Sequence, residues 1–99
     1  MNSVSSNLYS LNSPIEYDAM RDAYSAYFNF NGKDYYADLV SGRWFRVPHN
    51  EVKVFAIKND KVDFDDLYCA CPPAVDEATL LEYIEKFCME NMMTEISCG

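Results

Sequence analysis

The side chains best suited to chemistry in this chain are four cysteines, Cys69, Cys71, Cys88 and Cys98, and one histidine, His49. Thiolate and imidazole are the usual zinc ligands, but structural zinc sites favour cysteine pairs separated by about two to four residues, and usually two such pairs. Here one residue separates Cys69 from Cys71, and no second pair exists. Cys88 falls in an apolar helical stripe, where a reduced thiol is ordinary core material. No metal and no cofactor is expected. Any imidazole-based acid–base step would have to use His49, which follows Pro48 in a connection between strands. Only three glycines occur, and no GxSxG, HExxH, glycine-rich phosphate loop or cysteine-nucleophile signature is present. These residues read as those of a non-enzyme.

Charge is the next resource. The formal net charge is -8 over 99 residues. Residues 1–32 carry -2, residues 33–61 carry +2, and residues 62–99 carry -8. Nucleic-acid affinity depends on cations meeting phosphates, so the acidic last third opposes it. Arg43, Arg46, Lys53, Lys58 and Lys61 do interleave with Trp44, Phe45 and Phe55, but Arg43 and Arg46 have opposite strand parity and cannot share one surface without a bulge. Positive charge there reads as protection of sheet edges. No direct nucleic-acid binding is expected, and a partner recognised by charge should be basic.

These groups must be positioned by a folded body. An apolar fraction of 49% and an aromatic fraction of 15% give the chain enough surface to bury one core, which places it outside the disordered class. We expect a Ser/Asn-rich flexible segment over 1–12 and a single α+β domain over 13–99. The start has neither a basic n-region nor a long apolar run, so no secretory signal is read. No stretch approaches the roughly 20 apolar residues of a membrane span. The expected location is the cytoplasm, with reduced thiols.

Ser13-Pro14-Ile15-Glu16 has the form of a capping box with Pro at the first helical position, which predicts an N-terminal helix ending near Tyr24. From Ala26 the period becomes two. Asn31-Gly32 suits a type I′ hairpin, with Phe30 opposite Lys33, Phe28 opposite Tyr35, Ala26 opposite Ala37 and Tyr27 opposite Tyr36. Ser41-Gly42 then predicts a turn into a third strand over 43–47. Residues 51–58 are apolar on both faces, as a central strand would be, and 61–64 read as a short edge strand ended by Asp65-Asp66.

Asp76 is the expected cap of a final helix over 77–92. Its apolar stripe is Leu80, Leu81, Ile84, Phe87 and Cys88, and Glu82 and Lys86 form an i,i+4 pair on its flank. The predicted fold is therefore α+β: N-terminal helix, antiparallel meander of four to five strands, and C-terminal amphipathic helix packed on the sheet.

Two surfaces follow. The first is acidic: Asp60, Asp63, Asp65 and Asp66 near the edge strand, with Glu82, Glu85 and Glu90 on the last helix. Met89, Met92 and Met93 add adaptable apolar side chains beside it. This surface suits a basic protein partner. Small acidic domains without catalytic motifs resemble antagonists such as DNA-mimicking inhibitors, phage anti-defence proteins of the anti-CRISPR kind, or immunity proteins of nuclease toxins. That resemblance is one of size and charge alone and identifies no family. The second surface is an aromatic band of Tyr27, Tyr36, Phe45 and Val47, which is either a covered inner layer or a patch for scaffolding or homodimer formation.

Overall fold

A computed structural model describes residues 8–44 and 49–98, and leaves the side chains at 44, 65–67 and 93–98 undescribed. Its elements are β1 (Ser10–Leu11), β2 (Glu16–Asp18), β3 (Ala23–Phe30), β4 (Lys33–Val40), a 3-10 turn (Gly42–Trp44), β5 (Glu51–Lys58), β6 (Lys61–Ala70) and α1 (Glu77–Cys98). The class is α+β. Among the described residues, six strands form one antiparallel sheet in the order β1-β3-β4-β5-β6, with β2 sharing the outer edge of β3.

Two hairpins set the register. Asn31 and Gly32 take φ of 57° and 81°, and Asn59 and Asp60 take 54° and 64°, the left-handed pair that matches the natural twist of two strands. The first turn places Phe30 opposite Lys33, Phe28 opposite Tyr35, Ala26 opposite Ala37 and Tyr27 opposite Tyr36, as the alternation predicts.

Alternate residues then face α1. Ala26, Phe28 and Phe30 of β3, Ala37 and Leu39 of β4, and Val52 and Val54 of β5 form a buried cluster with Leu80, Tyr83, Ile84, Phe87 and Cys88 of α1. Phe87 is the aromatic hub, with ring centroids 5.0 Å from Tyr35, 5.5 Å from Tyr68, 6.0 Å from Phe28 and 6.4 Å from Phe30. Asp76 caps the helix, its Oδ1 accepting the Thr79 amide at 2.7 Å.

Four expectations need correction. No N-terminal helix forms: residues 16–18 pair with β3 as β2. Asp18 Oδ1 accepts the amides of Met20 (3.0 Å) and Arg21 (3.4 Å), the local alternative that Asp offers to helical bonding. Asp22 at φ 50° then reverses the chain, and Tyr17 packs on Tyr24 across the hairpin at 4.7 Å. So short a helix is marginal without a broad apolar face.

The sheet also has more strands than the four or five expected, six among the described residues, because β1 and β2 add to its edge. The strand expected over 43–47 is not interposed between β4 and β5. These two pair directly, from Tyr35↔Ala56 to Val40↔Glu51, and Arg43 lies in the 3-10 turn; residues 45–48 are outside the described set. Finally, β6 does not end at Asp65-Asp66. It continues to Ala70 by a register break in which Phe55 pairs with Leu67 and the next residue, Ala56, pairs with Asp63.

Candidate protein-interaction surfaces

The described acids of the expected acidic surface do not gather in one place. Asp60 is exposed in the β5–β6 turn. Asp63 is ion-paired to Lys58 at 3.1 Å. The side chains of Asp65 and Asp66 are outside the described set. On α1, Glu85 lies near Tyr9, whose hydroxyl is pushed up in pKa first by burial and then by that carboxylate. Glu90 instead lies near Tyr68 of β6, raised in the same way. The helix thus carries Glu85 and Glu90 on opposite flanks, because residues five apart on a 3.6-residue turn do not share a face.

Glu82, Glu85 and Met89 do share a face, being three, four and seven residues apart. Among the described residues neither glutamate is in a salt bridge. The expected Glu82–Lys86 pair does not form; Lys86 holds its Nζ 4.5 Å from the centre of the Tyr83 ring. Beside this face runs a groove of about 570 Å³ between α1 and β1, lined by Tyr9, Ser10, Leu11, Ala78, Leu81, Glu82 and Glu85.

The groove has a clear structural origin. Tyr9 packs edge-on against Phe28 at 5.8 Å, and Ser10 and Leu11 pair with Asn29 and Phe28. Asn12 donates its amide to the Tyr27 carbonyl at 2.8 Å. A short strand is thereby held alongside the helix with Leu11 40% exposed. One wall is apolar, and the rim carries two carboxylates that form no salt bridge among the described residues. Met89, 49% exposed, extends the apolar surface. Sequence reasoning missed Tyr9 and Leu11 because two-residue strands carry no period.

The opposite sheet face carries no helix among the described residues. On it the rings of Tyr27, Tyr36, Phe55 and Phe64 cross β3, β4, β5 and β6 at centroid separations of 4.9, 6.5 and 5.0 Å. Tyr27 and Tyr36, expected in an aromatic band, are brought together; Phe45 and Val47 are outside the described residues. Phe55 and Phe64 stand with the tyrosines instead. Near Tyr36, Arg21 is held by Asp38 at 3.0 and 3.2 Å and by Asp18 at 3.1 Å, and these hydrogen bonds, that to Asp38 first, raise the guanidinium's pKa further.

His49 lies with Asp22, Ser41, Gly42, Arg43, Asn50 and Val75 around a polar hollow of about 690 Å³. Asp22 accepts from Tyr17 Oη at 2.8 Å and pairs with Arg43 Nη2 at 2.7 Å. Those two bonds hold its carboxyl below the ordinary range, which makes it a weak base at neutral pH.

Cys69 and Cys71 are exposed free thiols, and Cys88 is buried. Burial, with Glu85 adding to it, pushes the Cys88 thiol up to about 12. Among the described residues no three His, Cys, Asp or Glu side chains gather as a metal site, and no helix is long and apolar enough to cross a membrane. No protein-family model matches the chain, and no match was found among curated proteins or solved structures.

Proposed function

We propose that this chain is a non-catalytic protein-binding domain that takes a basic, amphipathic segment of a partner in the groove between β1 and α1. The observation that carries the reading is the composition of that groove: an apolar wall of Tyr9, Leu11, Ala78 and Leu81, rimmed by Glu82 and Glu85. An apolar wall without charge would suit many occupants. Two carboxylates at its rim select against acidic ones, since like charges brought together cost several kcal/mol, whereas Lys or Arg at matching positions is drawn in.

The net charge of -8 adds long-range attraction and a faster encounter with a cationic protein. A partner whose lysines and arginines are occupied in this way cannot present them to phosphate, so the domain acts as an antagonist of a partner that binds nucleic acid.

The test is a fluorescence-anisotropy titration with a labelled helical peptide bearing one Lys/Arg face and one Leu face, against an acidic peptide of equal length. The basic peptide should bind and the acidic one should not. Binding should weaken as salt rises, because exposed charges are screened beyond about 10 Å at 0.1 M. Reversing both charges, Glu82→Lys with Glu85→Lys, should weaken it about tenfold or more, and Leu11→Ser should weaken it without changing its salt dependence. Equal binding by the double reversal refutes the proposal.

A further inference from the structure

Cys69 and Cys71 are wrongly spaced for a tetrahedral zinc site and correctly spaced for two ligands on one side of a strand. β6 runs to Ala70, which pairs with Val52 and packs against the buried cluster. Successive side chains of a strand point to opposite sides, so the core takes Ala70 and both flanking thiols face away from it. The extended conformation reaches Cys71 because Pro72 follows: a proline ring disfavours helical dihedrals in the residue before it. Pro72 is itself buried, which anchors the end of the segment. Both thiols are free and exposed. Partial burial first, then the Glu51 carboxylate, push the Cys69 thiol up in pKa; Lys53 acts against them, and the neighbouring Cys71 adds to the rise. That last influence reflects how near the two sulfurs stand.

This spacing disfavours a disulfide. Two residues of strand span about 6.4 to 6.8 Å, and side chains projecting the same way keep their Cβ atoms about as far apart. A disulfide needs Cβ atoms about 3.5 to 4.5 Å apart. One ion between two sulfurs has a longer reach. With metal–sulfur bonds of about 2.3 Å, a linear sulfur–metal–sulfur unit spans about 4.6 Å, and rotation about χ1 brings each sulfur in by the remaining distance of about 1 Å.

We infer that Cys69 and Cys71 form a two-coordinate site for a soft monovalent cation, copper(I). Thiolates select copper(I) among first-row ions, and its filled d shell accepts two ligands in a line. Zinc wants four ligands, and among the described residues no three His, Cys, Asp or Glu side chains gather as a metal site. On binding, two S–H protons leave to solvent and two copper–sulfur bonds form, with the oxidation state of the metal unchanged. The loaded unit carries one negative charge, and Lys53, in register with Cys69, stands beside it as a cation. β6 is last in the strand order, so among the described residues no further strand shields the pair from a molecule delivering the ion.

The inference is independent of the groove reading. The full chain, reduced and kept free of oxygen, is titrated into the coloured copper(I) complex of bicinchoninate, and the fall in absorbance reads the copper withdrawn. The chain should take up one ion per molecule and keep its mass in solution. Cys69→Ser and Cys71→Ser should each weaken binding about a hundredfold or more, the advantage of two linked ligands over one, while Cys98→Ser should bind as the wild type does. Cys69 and Cys71 are exposed, so both serine variants should keep the wild-type circular dichroism spectrum. A molar excess of zinc should not displace the copper. A chain that withdraws no copper, uptake that survives both serine variants or falls equally in Cys98→Ser, one ion shared between two chains, or displacement by zinc overturns the inference.

Discussion

Removing the ring at Phe87 tests whether the terminal helix is an integral part of the domain. Phe87 is 7% exposed and meets the rings of Phe28, Phe30, Tyr35 and Tyr68. Burying such a side chain contributes about 1.5 to 3 kcal/mol, and truncation adds the cost of the cavity left behind. Measured Phe→Ala changes in cores run about 3 to 5 kcal/mol. The surrounding rings belong to β3, β4 and β6, so the cavity cannot close by a small shift of one element, and the upper part of that range is expected for Phe87→Ala. Phe87→Leu keeps most of the apolar volume but loses four edge-to-face contacts, and at the low end of about 0.5 kcal/mol each it should cost about 2 kcal/mol. A domain of this size has about 5 to 15 kcal/mol in total. Urea unfolding followed by tyrosine fluorescence and far-ultraviolet circular dichroism should therefore show a single transition displaced far down for Ala and modestly for Leu, with an unchanged slope. A loss below about 1 kcal/mol for Phe87→Ala, or two separate transitions, would refute the claim that α1 and the sheet share one core, and with it the groove that α1 helps to form.

Other perturbations read single features. Gly32→Ala should lower stability by about 1 to 2 kcal/mol, the cost of a left-handed L-residue, since φ is +81° and an added Cβ would meet nothing within 4 Å; urea melts check it. Brief alkylation at neutral pH followed by peptide mass spectrometry should label Cys69 and Cys71 and leave Cys88 unmodified until the chain unfolds. The same buried thiol predicts alkaline sensitivity: the unfolded chain ionises it near 9.0 while the folded chain keeps its proton up to about 12. Its stabilising contribution is intact below 9 and lost as pH rises through that window. On the acid side, hydrogen bonds hold Asp18, Asp22, Asp34 and Asp76 below 3.8. Their contribution is present above that value and disappears as pH falls through the folded pKa values, so thermal melting points should drop with acidification below about pH 4.

The two surfaces give the molecule opposite chemistries on its two broad sides. The helix side carries Glu82 and Glu85 beside an apolar groove, neither in a salt bridge among the described residues, and the sheet side carries a ring row whose neighbouring guanidinium is already paired with Asp18 and Asp38. Salt separates them experimentally. Charge-driven capture weakens with ionic strength, whereas the packing of apolar rings does not.

Some of this was legible in the residues alone. Asn31-Gly32 dictated a hairpin and its register, because left-handed φ at both positions is cheap only for such a pair. Glu51–Lys58 declared a central strand by being apolar on both faces, and Asp76 with the stripe from Leu80 to Cys88 declared the helix. Each signal is local, carried by neighbours in sequence or one turn away. Tertiary structure decided the rest. Ser13-Pro14-Ile15-Glu16 has every local mark of a helix start, yet the segment gains more by lying along β3, where backbone pairing and the Tyr17–Tyr24 contact exist only once β3 is in place. Charge along the chain likewise does not say where carboxylates fall in space: Glu85 and Glu90 are close in sequence and end on opposite flanks of one helix. Leu11 and Phe64 enter their surfaces through pairings across the sheet and a break in register, which no window of residues contains.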